Sequence, residues 1–445
     1  MLFNSIEFLI FLPLVFFGYW FVFKSLRWQN LFVVAVSYLF YGWWDWRFLL
    51  LILFTSLCSY LSGVYLEKCA GNRSVQKWIS AGNILLNLSI LGVFKYFDFF
   101  TENLVNVLHL LGWDADYVTL NILLPVGISF YTFQALSYTI DVYQGKIKAT
   151  HDIVAFFAYI SFFPQLVVVA DNCALFVNGV FENYQTLDGS TLFLGAFFFT
   201  IQIYGDFSGY SDIAIGCARL FGIDLMQNFK YPYFSRDIAE FWRRWHISLT
   251  TWFRDYIYIP LGGSRAGKWK SFRNTLVIFL VSGFWHGANW TFVAWGAYHA
   301  LLFLPLLLLG QNRRYRDSVA ENSFLPSVKE LTQMGATFLL VLLGWILFRS
   351  EDISQAAVYL ERMFNVSLFS APQLVGLGFG QLLLKKCFFF TALMFIVEWI
   401  GRKQAHGLMI EDLSLPVRYV IYTVLLIIIY GFDASNPQGF IYFQF

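Results

Sequence analysis

The chain has 445 residues, of which 58% are hydrophobic, 21% are aromatic and only 13% are charged, with a formal net charge of +2. Soluble domains carry roughly 25% charged residues, so this composition excludes an ordinary soluble protein and indicates a polytopic helical membrane protein. The near-neutral charge argues against a nucleic-acid partner.

Apolar stretches recur along the whole chain and predict eleven or twelve membrane-spanning helices. No basic segment or small-residue cleavage site precedes the first of them, which predicts a retained span and not a signal peptide. No polar stretch is long enough to fold alone, so residues 1–445 are predicted to form a single membrane domain. The predicted spans are 6–23, 31–44, 48–66, 78–97, 120–142, 153–166, 192–204, 275–285, 291–309, 332–348, 386–400 and 417–432.

The charges between the early spans predict an orientation. The segment 98–117 carries four acidic residues and no lysine or arginine, whereas the flanking loops are basic. Since basic loops stay in the cytoplasm, the N-terminus is expected outside it. The basic residues are Lys24, Arg27, Lys68, Arg73, Lys77, Lys146 and Lys148.

Two acidic residues stand in the apolar region that follows. Asp206 and Asp212 belong to residues 204–212, sequence YGDFSGYSD, at or near membrane depth. An intramembrane carboxylate marks a substrate path or a buried ion pair. We therefore consider both a substrate-lining role and an ion pair with an arginine of the next segment.

Residues 223–275 form the one long stretch that is not predicted to span the membrane. It contains nine Lys and Arg against four Asp and Glu, which favours the cytoplasmic side. Large apolar residues at helical spacing predict a single amphipathic helix lying at the membrane interface, ended by Pro260 and the following glycines. These residues are Trp242, Trp245, Leu249, Trp252 and Tyr256.

Two histidines sit beside tryptophan within this apolar chain. His246 follows Trp245 in the basic segment, and His286 follows Trp285 between two apolar runs, flanked by Gly283 and Gly287. An imidazole is costly to place among aromatic side chains, so a function is expected for both. The alternative for each is a buried structural histidine. A neutral histidine in a dry site is suited to general-base catalysis.

The other histidines and the cysteines carry less information. His299 lies on an apolar helix and is expected to satisfy a neighbouring group, whereas His109, His151 and His406 are expected at the surface. The five cysteines are scattered, which predicts neither a disulfide framework nor a zinc site. No nucleophile elbow, metalloprotease motif, P-loop or Rossmann glycine pattern is present.

Residues 241–256, sequence FWRRWHISLTTWFRDY, and residues 283–287, sequence GFWHG, resemble the two hallmarks of the membrane-bound O-acyltransferase family. The similarity is closest to its bacterial alginate O-acetyltransferase-like branch. Residues 1–5, sequence MLFNS, and residues 204–212 support it, so the resemblance covers essentially the whole chain.

The resemblance implies tilted helices that form a funnel around a central catalytic histidine. It implies His286 as the catalytic base and His246 as the second essential histidine. It further implies an acyl thioester donor from the cytoplasm, acetyl-CoA, and no bound cofactor or metal. The acceptor would be a hydroxyl on an extracytoplasmic polysaccharide or a partner protein at the bacterial inner membrane.

Further site candidates are less specific. Arg243, Arg244 and Arg254 suit the phosphates of the donor, although they also suit anionic lipid headgroups. Trp285 and Asn289 are candidates for the substrate path.

Two features of the chain depart from a simple reading. The branch usually continues after Leu166 with several dozen polar and amphipathic residues, so we hypothesise a segment missing between Leu166 and Val167. The chain ends on six residues, FIYFQF, which suit an interfacial anchor. The sharper hypothesis is that this tail enters the funnel and places Tyr442 on the acyl path.

Three other functions remain open from the sequence. D-alanyl transfer to a cell-wall polymer would use the same residues with a carrier-protein thioester. A proton-coupled transporter or flippase would use Asp206, Asp212 and the histidines as a relay, but the paired repeats typical of transporters are not evident. A purely structural membrane subunit would leave both Trp–His pairs unexplained.

Overall fold

The computed structural model describes residues 6–43, 45–114, 116, 119–120, 125, 127–161, 169–265, 267–373, 381–407, 409–410 and 412–431. The described part contains helices and no strand. Four of its helices are long and apolar enough to cross a membrane, which confirms the prediction of an all-α, multi-pass membrane protein. They comprise Arg47–Lys68, Arg73–Leu110, Trp290–Leu308 and Val328–Arg349, and the shorter apolar helices are Ile10–Val22, Cys173–Glu182 and Leu415–Leu425. The number of eleven or twelve spans stays a prediction.

The chain divides into two compact units. The first unit contains residues 1–164 and 220–223, and the second contains residues 165–219 and 224–445. Residues 162–168, and with them the hypothesis of a missing segment, lie outside the described residues, as do residues 1–5 and the tail with Tyr442.

The described part of the first unit contains seven α-helices, which are α1 (Ile6–Phe17), α2 (Leu26–Gly42), α3 (Arg47–Lys68), α4 (Arg73–Leu91), α5 (Phe97–Leu110), α6 (Ile128–Tyr143) and α7 (Ile153–Ser161). A π-helical turn follows α1, and another joins α4 to α5. The Asn83 amide on α4 donates to the Thr139 hydroxyl on α6 at 2.6 Å.

The second unit contains the remaining helices. These helices are α8 (Val169–Glu182), α9 (Gly189–Leu220), α10 (Ile238–Arg244), α11 (Ile247–Phe253), α12 (Lys268–His286), α13 (Trp290–Leu308), α14 (Val328–Arg349), α15 (Ile353–Met363), α16 (Gln381–Gly401) and α17 (Leu415–Gly431). The core of the unit is a large cluster of aromatic and aliphatic side chains, most of which come from α8, α9, α10, α13 and α14.

Two predicted spans have different boundaries in the structure. The predicted span 78–97 belongs to a helical stretch that runs from Arg73 to Leu110, into the acidic segment assigned to a loop. The predicted span 192–204 lies in the N-terminal half of α9, which has 32 residues and continues through Asp206 and Asp212. Glycine lowers helix propensity without ending a helix when both sides pack, so the glycines of α9 do not interrupt it.

The single amphipathic helix predicted for residues 242–256 is wrong. The structure has two short helices, α10 and α11, that are separated at Trp245 and His246. The interfacial location is also wrong for α10, because Ile238, Phe241 and Arg244 are all buried in the protein. Burial in the core overrides the helical spacing of the tryptophans, since Trp245 belongs to the core while Trp252 contacts Tyr256 outside it.

Helices α12 and α13 form an antiparallel hairpin whose backbones approach closely at two glycines. A Cβ on Gly283 would lie 2.2 Å from the Phe292 carbonyl oxygen, and a Cβ on Gly296 would lie 2.3 Å from the Phe279 carbonyl oxygen. Atoms at these distances overlap, so only glycine permits the observed packing. The hairpin fixes the position of His286, the last residue of α12.

We predict that Gly283→Ala destabilises the protein by about 1–3 kcal/mol, the usual cost of overpacking a tight contact. The matched control is Gly335→Ala on α14, where an added Cβ meets nothing within 4 Å. This control is expected to be neutral or stabilising, because alanine favours the helix by about 0.5–1 kcal/mol over glycine. Thermal unfolding of the purified variants in detergent measures both effects, and equal melting temperatures would contradict the packing argument.

Candidate functional site

His246 occupies the break between α10 and α11 in a left-handed backbone conformation, with φ 45° and ψ 56°. The break is held by residues that precede α10 in the chain. Lys230 N donates to the Arg244 carbonyl at 3.0 Å, and Ile247 N donates to the Asn228 carbonyl at 2.9 Å. The Asn228 amide oxygen also accepts from the Ser248 hydroxyl at 2.7 Å. A non-glycine residue keeps this conformation only when its surroundings enforce it, and such strain is common at functional sites.

The imidazole of His246 is buried among aromatic rings. Its centroid lies 5.5 Å from that of Phe207 and 6.1 Å from that of Phe229. Neither ring nitrogen has a hydrogen-bond partner in the described part of the protein. Burial in this segment, which connects α9 to α12, lowers the pKa of His246 to about 3. His246 is therefore a neutral imidazole with a free acceptor nitrogen at physiological pH.

His286 ends α12 at the tip of the hairpin. Its ring contacts Trp295 and Phe348 edge to face, each at a centroid distance of 5.2 Å. The chain then leaves the helix through Gly287, where a Cβ would lie 2.0 Å from the Phe292 ring. Glycine at this position lets the aromatic ring close over the end of α12 and keep His286 buried, with 6% exposure.

The two Trp–His pairs meet at one tryptophan. The Trp285 ring lies 6.4 Å from the His246 ring and 4.9 Å from the His286 ring, measured between centroids. The two imidazoles therefore lie no further apart than the sum of these distances. Two histidines that are 40 positions apart in the chain thus lie against the same tryptophan ring.

A third histidine belongs to the same aromatic region. His299 on α13 is fully buried, and its ring lies 5.1 Å from Trp295 and 5.0 Å from Trp242. The expectation that it satisfies a neighbouring group is wrong, because within the described residues neither of its ring nitrogens has a hydrogen-bond partner. The Nε1–H group of Trp295 also lacks an acceptor there. Unpaired buried polar groups cost about 1–3 kcal/mol each, so their concentration here makes this region a candidate site.

The three candidate arginines have different surroundings. Arg244 is buried and its Nη2 donates to Glu240 Oε1 at 2.7 Å, so its charge is already paired. Arg243 is exposed and donates to the backbone carbonyls of Asn312 and Tyr315, each at 2.5 Å. Arg254 pairs with the adjacent Asp255 in an exposed ion pair. Arg243 therefore has no counter-ion and can meet an anionic ligand, and Arg254 is accessible to one because its ion pair is exposed.

The substrate-path candidates also differ in their burial and in their hydrogen-bond partners. Asp206 is buried on α9 and Asp212 is exposed, where it pairs with His406 at 3.4 Å instead of with an arginine. Asn289 caps α13, accepting from Thr291 N at 3.0 Å and donating to the Glu351 carbonyl at 2.6 Å. His151 is exposed as predicted and pairs with Glu67.

Comparison with known proteins identifies relatives of this arrangement. A model of the membrane-bound O-acyltransferase family matches residues 177–320, which contain His246, His286 and His299. The chain is 37% identical over 430 residues to a probable alginate O-acetylase, AlgI, of Pseudomonas aeruginosa, covering 86% of this chain and 80% of the relative. It is 30% identical over 437 residues to a peptidoglycan O-acetyltransferase of Helicobacter pylori, covering 82% and 80%.

A teichoic acid D-alanyltransferase of Bacillus subtilis matches a shorter part of the chain. Its identity is 30% over 163 residues, which covers 34% of this chain and 40% of that protein. The matches to O-acetylating proteins therefore extend over a far larger share of this chain than this match does.

Proposed function

Because the chain belongs to the membrane-bound O-acyltransferase family, we propose that it transfers an acetyl group from acetyl-CoA to a hydroxyl group of a polysaccharide. The relatives named for alginate and peptidoglycan O-acetylation support an acetyl donor and a polysaccharide acceptor. The acceptor hydroxyl lies on the extracytoplasmic side of a bacterial inner membrane, on the polysaccharide itself or on a partner protein that passes the group on.

The meeting of His246 and His286 at Trp285 is the observation that carries this proposal. Acyl transfer to an alcohol needs a base that removes the hydroxyl proton as the oxygen attacks the thioester carbon. In our proposal His286 takes that proton. The carbon–sulfur bond then breaks, and the departing thiolate receives the proton from the imidazolium. His246 supports the reaction from the donor side as a neutral hydrogen-bond acceptor.

The distribution of charge supports the proposed direction of transfer. The segment 223–275 carries nine Lys and Arg against four Asp and Glu, which favours the cytoplasmic side for this segment and for the donor. We place the N-terminus outside the cytoplasm for the same reason. The donor and acceptor would then reach the histidines from opposite faces of the membrane through a funnel.

The donor is tested with purified protein in liposomes. Labelled acetyl-CoA is expected to give acetyl transfer to an added oligosaccharide, or slow release of acetate to water when no acceptor is present. D-alanyl thioester on a carrier protein is offered in parallel as the competing donor. Use of the D-alanyl donor without use of acetyl-CoA would overturn the acetyl assignment, and use of neither donor by folded protein would favour the transporter alternative.

A further inference from the structure

The loop after α13 presents an unusual concentration of arginine. Residues 311–317, sequence QNRRYRD, here named the arginine loop, contain Arg313, Arg314 and Arg316, all with exposed side chains. None of the three makes an ion pair within the residues that the structure describes. The one acid of the loop, Asp317, is already paired, because its Oδ1 accepts from Arg236 Nη2 at 3.0 Å.

The backbone of this loop is held in place by arginines that point inward from α10 and the residues before it. Arg243 donates to the carbonyls of Asn312 and Tyr315, and Arg244 donates to the Asp317 carbonyl at 3.1 Å. The guanidinium of Arg236 stacks over the Tyr315 ring at 4.3 Å. Carbonyl acceptors leave the charge of Arg243 without a counter-ion. The three exposed guanidinium groups are therefore attached to a backbone that hydrogen bonds hold in place. Arg243 adds a fourth positive charge next to them.

The loop also stands at a defined place relative to the histidines. Helix α13 runs from Trp290, near the tip with His286, to Leu308 at the loop. Over its 19 residues the helix rises ~28 Å, at 1.5 Å per residue. The buried rings of Trp242, His299 and Trp295 lie between the arginines of α10 and His286, with Trp242 and Trp295 5.6 Å apart. Trp242 and Arg243 are adjacent on α10. Arg243 contacts the arginine loop and Trp242 contacts Trp295 beside His286, so α10 connects the loop to the site.

We propose that the arginine loop, with Arg243, binds the phosphate groups of the acyl donor. This inference rests on the proposed thioester donor and specifies how it is recognised. A donor that carries phosphates at one end and a thioester on a long arm suits a basic surface at one end of α13 and a base at the other. Arginine favours phosphate because its planar donors match two oxygens at once.

The acyl donor and phospholipid headgroups both carry phosphate, so both could bind to the arginine loop. The test is direct binding of adenosine 3′,5′-bisphosphate to protein in nanodiscs, which requires no transfer activity. The variant is Arg313→Gln/Arg314→Gln/Arg316→Gln, which leaves the backbone contacts of the loop intact. The control is Lys24→Gln/Lys77→Gln/Lys148→Gln, three exposed lysines of the first unit, so both variants lose the same charge.

The loop variant is expected to bind the bisphosphate roughly tenfold to hundredfold more weakly, from the loss of charge-assisted hydrogen bonds. Its KM for acetyl-CoA is expected to rise equally with kcat unchanged, while the KM for acetyl-pantetheine, which lacks the nucleotide, stays the same. The control variant is expected to change these values less than threefold. Comparison of nanodiscs with anionic and zwitterionic lipid identifies the source of the phosphate.

If the loop variant loses only the stabilisation given by anionic lipid, the bound phosphate is a headgroup. Unchanged bisphosphate binding together with unchanged dependence on lipid charge would overturn the site. An equal loss in the loop and control variants would overturn it as well, because the effect would then be general electrostatic attraction. Weakened binding in a protein that transfers no acetyl group would leave the phosphate site standing and refute only the proposed reaction.

Discussion

His286→Ala is expected to lower acyl transfer by about a hundredfold to ten-thousandfold, the contribution that a positioned general base makes. The imidazole is buried at the tip of the α12–α13 hairpin and is joined through Trp285 to His246. Alanine at this position cannot accept the hydroxyl proton, so attack on the thioester would depend on solvent. The measurement is transfer of labelled acetyl from acetyl-CoA by protein in liposomes, with thermal unfolding to verify that the variant is folded.

Matched variants separate catalysis from packing. His286→Gln keeps the size and polarity of the side chain but cannot serve as a base, so we expect it to be as inactive as His286→Ala. His151→Ala removes an exposed histidine that pairs with Glu67, and it is expected to retain wild-type activity. Because groups that act in one step are not additive, His246→Ala/His286→Ala should be no slower than His286→Ala. A folded His286→Gln variant within tenfold of wild type would remove His286 as the base.

The sequence was most informative where a polar side chain stands among apolar and aromatic residues. Imidazoles beside tryptophan are energetically costly in an apolar chain, and this cost made His246 and His286 candidate residues before any fold was known. Their meeting at Trp285 required the structure, because the two residues are 40 positions apart in the chain. His299 has no local signal, since an isolated histidine on an apolar helix resembles a structural one until both its nitrogens are seen to lack partners.

Helical spacing predicted a continuous helix where the structure has a break at Trp245 and His246. Trp242, Trp245 and Leu249 recur as on a continuous helix, but hydrogen bonds from residues 228–230 stabilise the left-handed conformation that divides it. Those bonds are tertiary and leave no trace in the local pattern. In contrast, Arg236, Glu240 and Arg244 stand at i, i+4 spacing, so their ion pairs on α10 could have been predicted from the sequence.

Glu240→Ala is expected to destabilise the protein by about 3–5 kcal/mol, because it leaves buried arginines without their counter-ion. Glu240 is 1% exposed. Its Oε1 accepts from Arg236 Nη2 at 3.1 Å and from Arg244 Nη2 at 2.7 Å. Its Oε2 accepts from the backbone N–H of Arg236 at 2.8 Å, so the start of α10 loses a partner as well.

The control for this prediction is Asp255→Asn. Asp255 pairs with Arg254 at 2.7 Å, but both side chains are substantially exposed, at 33% and 58%. Exposed ion pairs contribute about 0–1 kcal/mol, so this variant should unfold close to the wild-type temperature. Thermal unfolding in detergent compares Glu240→Ala with Asp255→Asn. Equal shifts in melting temperature would show that burial of the Glu240 ion pairs does not increase their contribution to stability.

The origin of the loss is tested by removing the charges together. A variant that combines Glu240→Leu with Arg236→Met and Arg244→Leu exchanges the buried ions for apolar groups, and such exchanges are often neutral or stabilising. It should recover most of the stability lost by Glu240→Ala. The acyl-transfer activity of this triple variant is expected to be below that of the wild type. Arg236 and Arg244 also donate to the Asp317 carbonyl, and α10 leads directly into His246. Recovery of both stability and transfer would show that the ion network has no part in positioning the histidine, whereas recovery of stability alone would tie the network to the geometry of the site.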